Sequence, residues 1–210
     1  MERRHVNFDH SNSDKPLVVG IGGTTRAPSS TDRALRLVLL AAEEAGARTH
    51  LFNGPFLARL PHFAPEHPSR SDEQRHLIEM VRRADGLIVA SPGYHGGVSG
   101  LVKNALDLLE DLRGDQRSYL EGRAVGCVVT AAGWQAAVTT LEALRSIVHA
   151  LRGWPTPLGA SLNTAEPLFD GDGNCTDPKA ADVLNAVARQ VVEFAVRHGA
   201  VMQRNSPKRA

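Results

Sequence analysis

The chain has 210 residues, 42% hydrophobic and 22% charged, with 24 Lys+Arg against 23 Asp+Glu for a formal net charge of +1. That length suits one domain with terminal extensions, and the composition excludes a disordered, collagen-like or coiled-coil chain. The near-zero charge leaves no field of one sign to hold nucleic acid or an anionic bilayer.

Residues 1–14 read as a flexible arm, 15–198 as the folded domain and 199–210 as a flexible basic tail. The arm has no apolar stretch of the kind a secretory signal carries. The uncharged run 124–141 holds too many Gly, Thr and Gln residues for a membrane span. Cys127 and Cys175 are too few for a disulfide framework and lack metal-ligand spacing, so a reducing, cytoplasmic home is expected.

The apolar run LVVGIG at 17–22 predicts a buried strand. A helix follows over 30–46, with Leu35, Leu39 and Ala42 on one face and Gly46 as its stop. A second strand at 48–53 leads into a Pro-rich loop, 54–70. Ser71 then caps a helix over 72–84. GLIVAS at 86–91 is a third strand, followed by the loop PGYHGGVSG and a helix over 101–112. RAVGCVVTA at 123–131 is a fourth strand, followed by loop 132–134 and a helix over 135–151. A short fifth strand at 158–162 precedes a closing helix over 178–197, striped by Val183, Val187, Val191 and Phe194. Such alternation builds a parallel sheet covered by helices on both faces, with ligands bound beyond the carboxyl ends of its strands.

Three of those ends carry unusual residues. Gly23–Thr31 combines Arg26 with the hydroxyls of Thr24, Thr25, Ser29, Ser30 and Thr31 just before a helix. Hydroxyl and amide donors, a helix dipole and a guanidinium suit a phosphate, although the same residues also suit an ordinary N-cap loop. No Gly-Lys pair occurs, so this is not a P-loop. GIGGTT is a poor dinucleotide fingerprint, and the second strand lacks the acid that would hold a ribose. In SPGYHGGVSG, four glycines beside Tyr94 and His95 make a backbone-lined ledge on which a planar heterocycle can stack. A mobile surface turn seldom needs that combination.

Weaker features have plainer readings. His62 and His67 have no third metal ligand nearby in the sequence, so they belong to a solvated loop. Asp170–Asn174 resembles the opening of a calcium loop but lacks its later Gly and bidentate Glu, so a turn is expected. Cys127, mid-strand, reads as a core thiol.

SPGYHGGVSGLVKNALD resembles the signature S-P-x-Y-x-x-x-x-S-G-x-x-K-N-A-x-D of the NAD(P)H-dependent FMN reductases of flavodoxin-like fold. The first loop is similar to their phosphate loop S-x-R-x-x-S-x-N, with Thr24 for Ser and Thr31 for Asn. The resemblance covers about residues 16–198. It implies an α/β three-layer sandwich with a five-stranded parallel sheet in the order 2-1-3-4-5. It also implies FMN as cofactor and NADPH or NADH as co-substrate. By position, Thr24, Arg26, Ser29, Ser30 and Thr31 would hold the FMN phosphate. Pro92, Gly93, Tyr94, His95 and Gly96 would line the ring and ribityl chain, and Ala132, Gly133 and Trp134 would approach the ring. Ser99 is expected to cap the following helix.

The resemblance implies a reductase that passes hydride from nicotinamide through FMN to a small acceptor such as free flavin, a quinone or an azo compound. No catalytic side chain is required, since the flavin carries the chemistry. The competing reading is a flavodoxin-type electron carrier. Such carriers are strongly acidic and sandwich the ring with aromatics, which neither the charge nor the glycine-rich loop matches. An iron–sulfur flavoprotein would need a cysteine cluster.

Helix 101–112 carries apolar residues at 101, 105, 108 and 112 and again at 102, 106 and 109, with Leu109 expected on an outer stripe. Helix 135–151 is similarly broad, with Val138 and Ile147 beside its main stripe. The reductases it resembles pair these helices about a two-fold axis. A homodimer or dimer of dimers is therefore expected, with loop 54–70 bordering the partner's site.

Overall fold

The computed structural model describes residues 15–205, with side chains as far as Ala200, so the expected N-terminal arm and the last residues of the tail lie outside it. In chain order the elements are β1 Leu17–Gly22, α1 Ser30–Glu44, β2 Arg48–Phe52, α2 Gly54–Leu57, α3 Asp72–Arg83, β3 Gly86–Tyr94 and β4 Gly97–Val98. They continue with α4 Gly100–Asp107, β5 Ala124–Ala131, α5 Trp134–Ala150, β6 Trp154–Pro155, β7 Ala160–Asn163 and α6 Pro178–Asn205.

The sheet runs β2-β1-β3-β5-β6, with β7 also paired to β5, and all of these pairs are parallel. This is the expected order, with one difference at the outer position. There Trp154–Pro155 pairs with the start of β5 and Ala160–Asn163 with its end. Pro155 and Pro157 have no N–H to give, so a single continuous strand cannot form across them.

Alternation along the strands sorts the core into two layers. Val19, Ile21, Leu87, Val89, Val125 and Val129 face α3, α4 and α5, while Val18, Ile88, Ala90 and Val128 face α1 and α6. Burying each such side chain contributes about 1.5–3 kcal/mol. Gly126 lets α6 lie close, because a Cβ there would stand 2.6 Å from Val187 Cγ1. At the opposite end from the strand carboxyl termini, the buried Arg123 donates to the carbonyls of Ala84, Arg82 and Tyr119. Burial pushes its pKa down to about 10.

The expected helix over 101–112 becomes 3₁₀ at Leu108–Leu112. The tighter winding re-phases the apolar residues. Val102, Ala105, Leu106, Leu108, Leu109 and Leu112 are all buried within the chain, Leu109 at 0% exposure. The outer stripe expected on this segment is therefore interior, and Leu109 has no surface to offer a partner. At the C-terminus, α6 continues past the expected start of the tail as far as Asn205.

Candidate functional site

The first loop leaves β1 and is anchored from below by the Gly23 N–H, which donates to Ala90 O on β3 at 3.3 Å. The Thr24 hydroxyl accepts from the Arg26 N–H at 3.2 Å and curls the loop. Ser29 caps α1, accepting from the Asp32 N–H at 3.1 Å. Ser30 opens the helix and is half-buried. The Arg26 guanidinium is exposed and has no hydrogen-bond or ion-pair partner among the described residues. Gly54 packs beneath, since a Cβ there would lie 2.1 Å from Thr24 O. Thr31 is the exception in the loop. It is buried, and its hydroxyl pairs with that of Thr130 at 2.6 Å, so that hydroxyl is not free for a phosphate.

The glycine-rich segment is a hairpin rather than a loop. β3 extends beyond Ser91 to Tyr94 and turns back into β4, pairing Gly93 with Val98 and Tyr94 with Gly97. The two turn residues, His95 and Gly96, have φ of 52° and 80°. Two left-handed residues in a two-residue connection give the turn whose twist matches a hairpin. Ser91 fastens the base, its hydroxyl accepting from the Ser99 N–H at 2.9 Å and donating to Pro92 O at 2.8 Å. Ser99 in turn caps α4 as expected. Gly93 has a packing role, because a Cβ would meet Thr140 Oγ1 on α5 at 2.7 Å. Pro92 is buried, whereas Tyr94 is 56% exposed at the edge of the hairpin.

The third loop, Ala132–Gly133, is short. Gly133, at φ 118°, caps α5, and its N–H donates to Asn163 Oδ1 at 2.8 Å. Trp134 opens the helix with its ring 60% exposed. The Thr31–Thr130 pair ties the first loop to the end of β5, and the hairpin rests on α5. All three segments therefore meet at one carboxyl edge of the sheet. Positive-φ glycines, free amides, hydroxyls and an unpartnered guanidinium form a cradle with a cationic end and two exposed aromatic faces, which fits a phosphorylated planar ligand.

Two residues escaped the sequence reading. Asp32, in the first turn of α1, accepts from Arg36 Nε–H on Oδ2 at 2.8 Å, while its Oδ1 is buried without a partner among the described residues beside Gly23. Asn163 at the end of β7 positions Gly133. Each is a lone polar residue, in a helix or at a strand end, with no spacing to single it out. The Asp170–Asn174 segment is the expected turn: Asp170 accepts from the Asn174 N–H, and no metal-binding group of three or more His, Cys, Asp or Glu occurs among the described residues. Nor is any described helix long and apolar enough to cross a membrane.

Comparison with known proteins gives concordant results. An iron-sulfur flavoprotein of Archaeoglobus fulgidus is 29% identical over 123 residues, covering 56% of this chain and 62% of the relative. An FMN-dependent NADPH-azoreductase of Staphylococcus aureus is 33% identical over 98 residues, 47% of this chain and 48% of the relative. The aligned part thus spans less than two thirds of either curated relative. Among solved structures, the flavoenzyme FerB of Paracoccus denitrificans superposes with a TM-score of 0.73 at 19% identity, over 87% of this chain and 98% of that one. A flavodoxin, WrbA-like protein of Agrobacterium tumefaciens superposes at 0.59 and 17% identity, over 88% and 99%. These structural likenesses establish the flavodoxin-like fold. The profile of the family described as NADPH-dependent FMN reductase matches residues 16–167, and the chain belongs to that family.

Proposed function

We propose that the protein is an NAD(P)H-dependent, FMN-containing reductase that delivers hydride to a small acceptor such as free flavin, a quinone or an azo compound. The observation that carries this reading is the convergence of the Arg26 loop, the Tyr94–Gly97 hairpin and the Gly133 turn on one sheet edge. When bound, FMN supplies the hydride chemistry.

The chain's own residues bind and orient. Arg26, the Ser29–Thr31 amides and the α1 dipole would hold the phosphate. Buried Asp32 Oδ1 is suited to accept from a ligand hydroxyl. The amide of Gly96 would meet the polar edge of the ring and stabilise negative charge there, while the Gly133 turn, its own N–H held by Asn163, would let the ring approach the backbone. Tyr94 and Trp134 would shield the ring from water while one face stays open to nicotinamide.

The family supports a reductase over an electron carrier, and so does the net charge of +1. Against an iron–sulfur flavoprotein stand the chain's two cysteines, where a cluster takes four thiolates. We further propose a homodimer, or a dimer of such dimers, built on the exposed Trp134 and Val138 face of α5, in a cytoplasmic setting. Anaerobic mixing of the FMN-loaded protein with NADPH or NADH tests the activity. Rapid loss of the oxidised-flavin absorbance, restored by a quinone or azo dye, is expected of the reductase. No bleaching by either coenzyme contradicts it.

A further inference from the structure

Thr130 belongs to none of the three ligand segments, yet it stands where all of them have their roots. On β5 it lies in register with Pro92 of β3, at the base of the hairpin. Two residues further on, the chain enters the Ala132–Gly133 turn. Its hydroxyl meets that of Thr31, in the first turn of α1, at 2.6 Å. Both residues are buried, Thr130 at 4% and Thr31 at 2% exposure. One pair of oxygen atoms thus joins the Arg26 loop to the strand that leads into the Gly133 turn and borders the hairpin. Among the described residues, no other hydrogen bond joins two buried side chains.

The bond is not needed to fill the core. The layer between α1 and the sheet is built from Ala34, Leu35, Ala90, Val128 and Leu162. Two valines of the same shape would pack there at little cost, because exchanging both partners leaves no buried group unsatisfied. What valines lack is direction. A hydroxyl pair fixes the distance and angle between its two elements, whereas apolar contact is non-directional. FMN makes that direction matter. Its phosphate and its ring are two ends of one ligand, and both are held only if the Arg26 loop stands at the matching distance from the hairpin. We propose that Thr130 is a positioning residue for FMN. Through the Thr31 hydroxyl it fixes the phosphate loop against the ring-binding edge, and so sets how strongly the protein prefers FMN to riboflavin. The pair acts through Arg26 and the loop amides rather than on the ligand itself. The inference rests on the reductase reading above and adds a residue outside its loops.

The test titrates the full-chain apoprotein by calorimetry with FMN and, separately, with riboflavin. The double variant Thr31→Val/Thr130→Val removes the bond without leaving an orphan hydroxyl, so its Tm should stay within a few degrees of the wild type's. Its FMN affinity should fall roughly five- to thirtyfold. Riboflavin affinity should not change, because the contacts of the ring are intact. Thr130→Ser, which keeps the hydroxyl, should keep the wild-type preference. Three results would each overturn the inference and leave the reductase reading standing. They are wild-type FMN affinity in the double variant, equal loss of FMN and riboflavin, and loss of the preference in Thr130→Ser. A double variant that unfolds shows the bond to be needed for the fold and overturns it likewise. A wild type that binds FMN no more tightly than riboflavin overturns the phosphate reading of the Arg26 loop, and this inference with it.

Discussion

Asn104 Oδ1 accepts the backbone N–H of Phe63 at 2.7 Å, across 41 residues of sequence. Its Nδ2 donates to Pro61 O at 3.1 Å, which also accepts from Gln74 Nε2 at 3.1 Å. The Asn of the K-N-A-x-D signature is therefore a clamp on the Pro-rich segment, while Lys103 and Asp107 pair across one helical turn at 2.6 Å. Replacing Asn104 with Ala removes both bonds and leaves the Phe63 amide unpaired, a cost of about 1–3 kcal/mol. The expected result is a folded protein cleaved faster by protease within 58–70 than the wild type, read by limited proteolysis and mass spectrometry.

A pH effect follows from His50. Its ring packs edge-on against Phe52 and His76, with centroids at 4.6 and 5.3 Å. Burial, and then the neighbouring His76, hold its pKa below the ordinary 6.5. The unfolded chain therefore binds more protons than the folded one just below pH 6.5, so stability falls as the pH drops from 6.5 through the folded value. Denaturant titrations across that window should show this loss, and His50→Phe should flatten it. An unchanged acid limb in His50→Phe would assign the effect to other groups.

The hairpin turn gives a third prediction. Gly96 sits at φ 80° near the tip, with Thr139 Cγ2 at 3.7 Å from where a Cβ would stand. Gly96→Val places a branched residue in the left-handed region at a cost of about 1–2 kcal/mol. A drop of a few degrees in Tm is expected, with the fold retained and most bound FMN lost. Full FMN occupancy in the variant would put the ring away from the hairpin.

For assembly, the structure changes which residue to test. Leu109 is core, so Leu109→Glu would unfold the chain rather than split a dimer. Val138, 50% exposed one turn after Trp134, is the position for a charge. An isologous interface repeats each substitution on both subunits. Val138→Glu should therefore shift sedimentation from the dimer to the single-chain mass while leaving the circular dichroism unchanged. A wild-type mass of one chain refutes the dimer.

The parallel strands were legible because buried strands read as continuous apolar runs such as LVVGIG and GLIVAS, each punctuated by Gly or helix caps, whereas their order was implied by the family resemblance. The hairpin was not legible, because its turn uses His95 at a position where Asn or Asp is the usual signal. Nor was the interior fate of Leu109, which depends on the change from α to 3₁₀ winding at Leu108, a choice made by tertiary packing. Among the loop hydroxyls, sequence could not separate Ser29, which caps its own helix, from Thr31, which reaches across the sheet to Thr130. That pairing joins residues 99 positions apart.

The central claim is that the Arg26 loop holds a phosphate while the hairpin and the Gly133 turn hold the ring. Parallel calorimetric titrations of the apoprotein with FMN and riboflavin test it most directly. The account predicts that FMN binds far more tightly than riboflavin. It also predicts that Arg26→Ala removes roughly 1.5–3 kcal/mol of FMN affinity, the scale of a charge-assisted hydrogen bond, and leaves riboflavin affinity unchanged. Equal affinity of the wild type for the two ligands would contradict it.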